Sequence, residues 1–125
     1  MLEEIVIVTE DEPGVLADIG EVLGRGGVNI ETLSASAHQG EGVIRLVVDD
    51  GEHAADVLAT SGYQVEGARP VLTATLDDRP GELGRYCRRL ANAGVTISSA
   101  YVAKRGGGET EVIFSVDDLE NASRA

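Results

Sequence analysis

Apolar positions recur along this chain in two alternating rhythms. Leu2 to Thr9 centres on Ile5-Val6-Ile7-Val8, a β-branched run that predicts a buried strand. After Glu10-Asp11-Glu12-Pro13-Gly14 the rhythm changes. Val15, Leu16, Ile19, Val22 and Leu23 then fall on one helical stripe, which Gly24, Gly26 and Gly27 end. Val28 to Ala37 predicts a second strand, His38 to Gly42 a hairpin loop, and Val43 to Val48 a returning third strand. Glu52 to Thr60 follows as a short helix, and Tyr63 to Arg69 as a weaker fourth strand.

The same order then starts again. Val71 to Leu76 is a first strand and Asp78-Arg79-Pro80-Gly81 a turn. Leu83, Tyr86, Cys87, Leu90 and Ala91 form a helical stripe, and Val95-Thr96-Ile97 opens the next strand. Arg105 to Gly108 is a hairpin loop and Glu111 to Val116 the return strand. Pro13 and Pro80 stand 67 residues apart, as do Leu16 and Leu83, Ile19 and Tyr86, and Leu23 and Leu90. Asp49-Asp50 and Asp117-Asp118 are separated by 68, so the second hairpin has gained one residue. Both acidic pairs are placed to cap the short helix that follows. So many aligned features mark an internal duplication, with boundaries at 1–69 and 70–125. The second copy reaches Ala125 within its second helix, so it is expected to lack its last strand.

Strand, helix, strand, strand, helix, strand predicts an α+β fold. It is a ferredoxin-like βαββαβ unit, an antiparallel sheet with its helices on one face. Without a fourth strand, one edge of Val71–Leu76 would lie open, an association hazard. Another part of the chain or a second subunit is expected to cover it.

Composition narrows the function. The chain has 125 residues, with 22 Asp and Glu against 10 Lys and Arg, for a net charge of −12. That sign repels phosphate backbones and anionic lipid heads, so neither nucleic acid nor membrane is an expected partner. Many carboxylates, a single lysine (Lys104) and a core poor in aromatics also suit the proteins of salt-loving microbes, although an acidic mesophile protein would look similar. Met1-Leu2-Glu3-Glu4 has the wrong charge for a secretory signal, and the cytoplasm is the expected compartment.

Candidate chemistry is sparse. Cys87 is the only cysteine and lies on a helical stripe, which predicts a core residue rather than a nucleophile. His38 and His53 lack a partner histidine at helical spacing, so no metal site is expected. Gly106-Gly107-Gly108 lacks the lysine of a phosphate loop. No catalytic residue and no cofactor is expected.

The segment Asp11-Glu12-Pro13-Gly14-Val15-Leu16, joined to Gly27-Val28-Asn29-Ile30, closely resembles the ACT domain family. Asp78-Arg79-Pro80-Gly81-Glu82-Leu83 with Gly94-Val95-Thr96-Ile97 resembles it too, so the chain resembles a tandem ACT protein. The resemblance implies a non-catalytic regulatory module that binds an amino acid at an ACT–ACT interface and works as a homodimer. The alternative it implies is a ligand-free interaction subunit docked on an enzyme of amino-acid metabolism. By position, the ligand contacts would be Asp11, Gly14, Val15, Leu16, Asn29 and Ile30 in the first copy. In the second they would be Asp78, Gly81, Glu82, Leu83, Thr96 and Ile97.

The turn itself is suited to such a ligand. A helix N-terminus offers unpaired N–H groups and partial positive charge to a carboxylate. Glycine permits close approach, Asp11 can take an ammonium, and the Asn29 amide can serve either pole. The same residues also make an ordinary strand-to-helix turn, with proline in the first helical turn. In the second copy Thr96 replaces the amide, and Arg79 and Glu82 alter the charge, which favours the purely structural role there.

Overall fold

The computed structural model describes residues 1–125. The chain divides into two compact units, Met1–Arg69 and Pro70–Ala125.

The first unit runs β1 (Glu3–Glu10), α1 (Val15–Arg25), β2 (Ile30–His38), β3 (Glu41–Val48), α2 (Gly51–Thr60) and β4 (Gln64–Pro70). Its sheet has the order β2-β3-β1-β4. β1 and β3 are antiparallel from Glu3 opposite Val48 to Glu10 opposite Glu41. Strand alternation sends Ile5, Ile7, Ile44, Leu46 and Val48 to one face, where they pack with Ile19 and Leu23 of α1 and Ala54 and Leu58 of α2. Full burial of each such aliphatic side chain contributes about 1.5–3 kcal/mol. The helices are held close at Gly26, where an added Cβ would lie 2.9 Å from Val57. His53 Nε2 lies 2.8 Å from the Gly26 carbonyl.

The second unit runs β5 (Leu72–Asp77), α3 (Glu82–Asn92), β6 (Ile97–Gly106), β7 (Glu109–Val116) and α4 (Leu119–Arg124). Its sheet has three strands in the order β5-β7-β6. Ala74, Val112 and Phe114 pack with Leu72, Leu76, Tyr86 and Cys87. Leu90, Val95 and Ala122 form a second cluster. The rings of Tyr86 and Phe114 stack with centroids 5.5 Å apart. Cys87 is therefore a core residue, half-buried among apolar neighbours.

The duplication extends to individual hydrogen bonds. Val28 N–H donates to Leu23 C=O, and Val95 N–H to Leu90 C=O. The Asp50 side chain caps α2 by accepting from His53 N–H, and Asp118 caps α4 by accepting from Asn121 N–H.

Two details differ from the sequence-based expectation. The hairpin loops are two-residue turns, Gln39-Gly40 and Gly107-Gly108, with positive φ at both residues. Such type I′ turns match strand twist, so the strands run on into residues expected in the loops, His38 among them. The residue gained in the second copy is therefore not in the turn. It is absorbed as a register shift between Val102 and Lys104 in β6. The helix starts also move. Gly14 and Gly81, with φ of 87° and 90°, are the N-caps, so Pro13 and Pro80 lie before the helices and not in their first turns.

Candidate functional site

At the top of the first unit, where β1 hands over to α1, a cleft of about 260 Å³ opens. Its near wall is the turn itself, with Glu10, Asp11, Glu12, Gly14, Val15 and Leu16. Its far wall is the β2–β3 hairpin, with Ala35, Ser36, Ala37, Gly42 and Ile44. Asp11 N–H donates to Gly40 C=O over 2.9 Å and fastens the two walls together. No side chain caps α1, so first-turn N–H groups remain available to a ligand or to water. Three carboxylates stand on the rim. A shared hydrogen bond with Glu10, together with the charge of Glu10, raises the Glu12 carboxyl above its ordinary value.

The cleft thus offers a helix N-terminus for a carboxylate, carboxylates for an ammonium, and an apolar wall between them. Leu16 on that wall is 44% exposed.

The equivalent place in the second unit is largely filled. Its cavity is about 110 Å³, lined by Leu76, Asp78, Leu83, Val102, Thr110 and Val112 among others. By the duplication, Leu76 stands where the first unit has Thr9, Val102 where it has Ala35, and Thr110 where it has Gly42. Each replacement is larger. The charges are also engaged. Arg79 pairs with Asp77 and Glu82 at 3.0 Å each, Arg85 pairs with Glu82, and Arg105 lies 3.5 Å from Asp78. Arg85 above all holds Glu82 below the usual carboxylate range. Thr110 Oγ1 is buried with no hydrogen-bond partner.

The sequence-predicted residues do not gather in one place within either unit. Asp11, Gly14, Val15 and Leu16 line the first cleft. Asn29 and Ile30 sit at the other end of the sheet, because Ile30 pairs with Val48, and Val48 with Glu3. The eight residues from Glu3 to Glu10 span about 23 Å of strand. Ile30 packs against the core. In the second unit Asp78, Glu82 and Leu83 line the small cavity, and Gly81 is the N-cap of α3. Thr96 and Ile97 lie at the far end, where Thr96 N–H donates to Asp117 Oδ1 and Ile97 packs in the core. In an antiparallel hairpin, the end of strand two and the start of strand three flank the turn. That rule alone points to Ala35, Ser36, Ala37 and Gly42, which the sequence reading passed over.

Residues 4–60 match the family model of the ACT domain. This match covers the first unit from β1 to the end of α2, including the β1–α1 turn and the cleft. No curated protein matches the chain. Among solved structures, it is similar to a protein from Bacteroides thetaiotaomicron at 21% identity, over 98% of this chain and 83% of that one, with a TM-score of 0.85. It is also similar to the ligand-free regulatory subunit of aspartate kinase from Thermus thermophilus, at 16% identity over 98% and 88%, with a TM-score of 0.75. The aspartokinase alpha and beta subunits give 17% identity over 98% and 88%, with a TM-score of 0.74. These likenesses establish the fold across both units, and the ACT domain match concerns the first. No helix is long and apolar enough to cross a membrane.

Proposed function

We propose that the chain is a tandem ACT protein, a non-catalytic regulator that binds a small amino acid through its first unit. The observation that carries this reading is the cleft at the β1–α1 turn. It sets an uncapped helix N-terminus and a rim of carboxylates around a short apolar wall, the complement of a zwitterion with a small side chain. The ACT domain match of residues 4–60 and the shared fold with regulatory subunits of aspartate kinase support the same reading. The second unit then serves as structural partner, its cavity narrowed by larger side chains.

The ligand lies at an ACT–ACT interface within a homodimer. The half-exposed Leu16 leaves apolar surface for a neighbouring unit to cover. Asn29 cannot reach the turn of its own unit. A second unit packed antiparallel along α1 would carry its Asn29 to that turn, so one bound amino acid would join both. Binding would shift the pairing of units, and through it the activity of an enzyme partner in amino-acid metabolism.

Calorimetric titration with the twenty amino acids in concentrated salt tests the binding. At least one should give saturable heat and a thermal shift, and Asp11→Asn should weaken both. Absence of heat and shift for all twenty would leave the ligand-free interaction subunit as the surviving reading. That subunit should co-purify with an enzyme.

A further inference from the structure

The smaller cavity, beside the β5–α3 turn, holds a polar group that its own unit leaves without a partner. Thr110 is 7% exposed, and its Oγ1 makes no hydrogen bond. Buried hydroxyls nearly always make one. Thr110 shares a sheet face with Val112 and Phe114, which pack against Tyr86 and Cys87 of α3. Its side chain therefore points to the helix side, into the cavity that it lines.

Two further sets of donors face the same space. Arg105 is the cross-strand partner of Thr110 and lies on the same face. It meets only Asp78, through Nε at 3.5 Å, so the outer N–H groups of its guanidinium are unengaged. No side chain caps α3, and Leu83 of its first turn lines the cavity, so N–H groups of that turn are open to an anion.

Charge separates this cavity from the first cleft, whose rim has three carboxylates and no cation. Here Arg79 pairs with Asp77 and Glu82, Arg85 with Glu82, and Arg105 with Asp78. Each carboxylate is matched by an arginine, and none is left over to hold an ammonium. Leu76, Leu83, Val102 and Val112 make the remaining wall apolar. Its volume of about 110 Å³ corresponds to about four water molecules at ~30 Å³ each.

We propose that this cavity binds a short aliphatic monocarboxylate that has no amino group. The carboxylate accepts from Thr110 Oγ1, from the Arg105 guanidinium and from the first turn of α3. The short carbon tail lies against Leu76, Val102 and Val112. The two units then select for opposite features, the first for an ammonium and the second for its absence. This site uses no residue of the first cleft, and so stands whether or not an amino acid binds there.

Amide NMR of the full chain, titrated with propionate, tests this. Propionate should saturate at about millimolar concentration, in keeping with a ligand of about five heavy atoms, and should shift the amides of Leu83, Gly84 and Thr110. It should bind about fourfold more tightly than acetate, the worth of one buried CH₂. Alanine should leave those three amides unmoved. Thr110→Val keeps the side chain's shape, and Arg105→Gln changes an exposed position. Each should weaken propionate about tenfold or more. Any of four results overturns the proposal: no saturation, shifts at Leu16 and Ala17 in place of Leu83 and Gly84, equal binding of alanine at this cavity, or affinity indifferent to both variants.

Discussion

The amide of Asp11 donates to the carbonyl of Gly40 over 2.9 Å, and the amide of Asp78 donates to the carbonyl of Gly108 over the same distance. In both units this bond ties the strand-to-helix turn to the tip of the neighbouring hairpin. The tie that frames the cleft is therefore a backbone bond present in each copy. Larger side chains, beside the residue that β6 gains between Val102 and Lys104, narrow the second cleft.

Gly42 is one of the three positions behind that difference. An added Cβ there would lie 3.3 Å from Thr9 Cγ2, and the second unit has Thr110 at the matching place. Gly42→Thr should narrow the first cleft and lower amino-acid affinity about tenfold or more, a cost of at least ~1.4 kcal/mol of binding. Calorimetry reads the affinity, and an unchanged urea midpoint would show that the loss is local to the cleft.

The cap glycines are needed for their backbone, not for space. Nothing lies within 4 Å of a Cβ built on Gly14, yet its φ is +87°. Gly14→Ala should therefore cost about 1–2 kcal/mol, the penalty of a left-handed conformation. Gly20→Ala is the matched control. Gly20 lies inside α1, exposed, with open space at its Cβ, and should gain about 0.5–1 kcal/mol. Urea denaturation of the two variants should move in opposite directions.

These glycines also mark how far the sequence could be read. The Ile5-Val6-Ile7-Val8 run, the Leu16–Leu23 stripe and their copies at an offset of 67 give the elements and the duplication directly, because periodicity and spacing are local properties. The caps at Asp50 and Asp118 are equally local. The composition of the cleft is not. Ala35, Ser36 and Gly42 are small residues without a chemical signature, and they reach the turn through strand pairing. Asn29 looks functional beside its glycines but lies about 23 Å away at the other end of the strand. The extra residue of the second hairpin was legible as a count, and its place in β6 was decided by the preference of tight hairpins for two-residue turns.

Thr110 has a buried hydroxyl without a partner. A hydroxyl in that state costs desolvation with no hydrogen bond in return. Thr110→Val keeps the shape and removes the polar atom, so it should stabilise the protein by about 1 kcal/mol. Thermal unfolding with and without ligand checks this, and amino-acid affinity should not change, since Thr110 lies outside the first cleft.

The two turns should respond to pH in opposite senses. Glu12 is raised above 4.5 by Glu10. Its favourable protonated pairing is fully present below that value and is lost as pH climbs through the raised pKa. Glu82 is lowered from 4.5, chiefly by its hydrogen bond with Arg85. Its contribution is present above 4.5 and is lost as pH falls through the lowered pKa. For binding, the first turn is the one that matters. An ammonium competes with a proton on Glu12, so amino-acid affinity should rise as pH passes upward through the Glu12 titration. Within that titration, binding should also release a proton, seen as a dependence of the calorimetric heat on the ionisation enthalpy of the buffer. Glu12→Gln should abolish both effects, whereas Glu82→Gln should leave binding alone and remove only the part of the acid loss of stability that Glu82 contributes. Affinity that is flat across the Glu12 titration would exclude this carboxyl pair from the ammonium site and leave Asp11 as the acidic group that holds it.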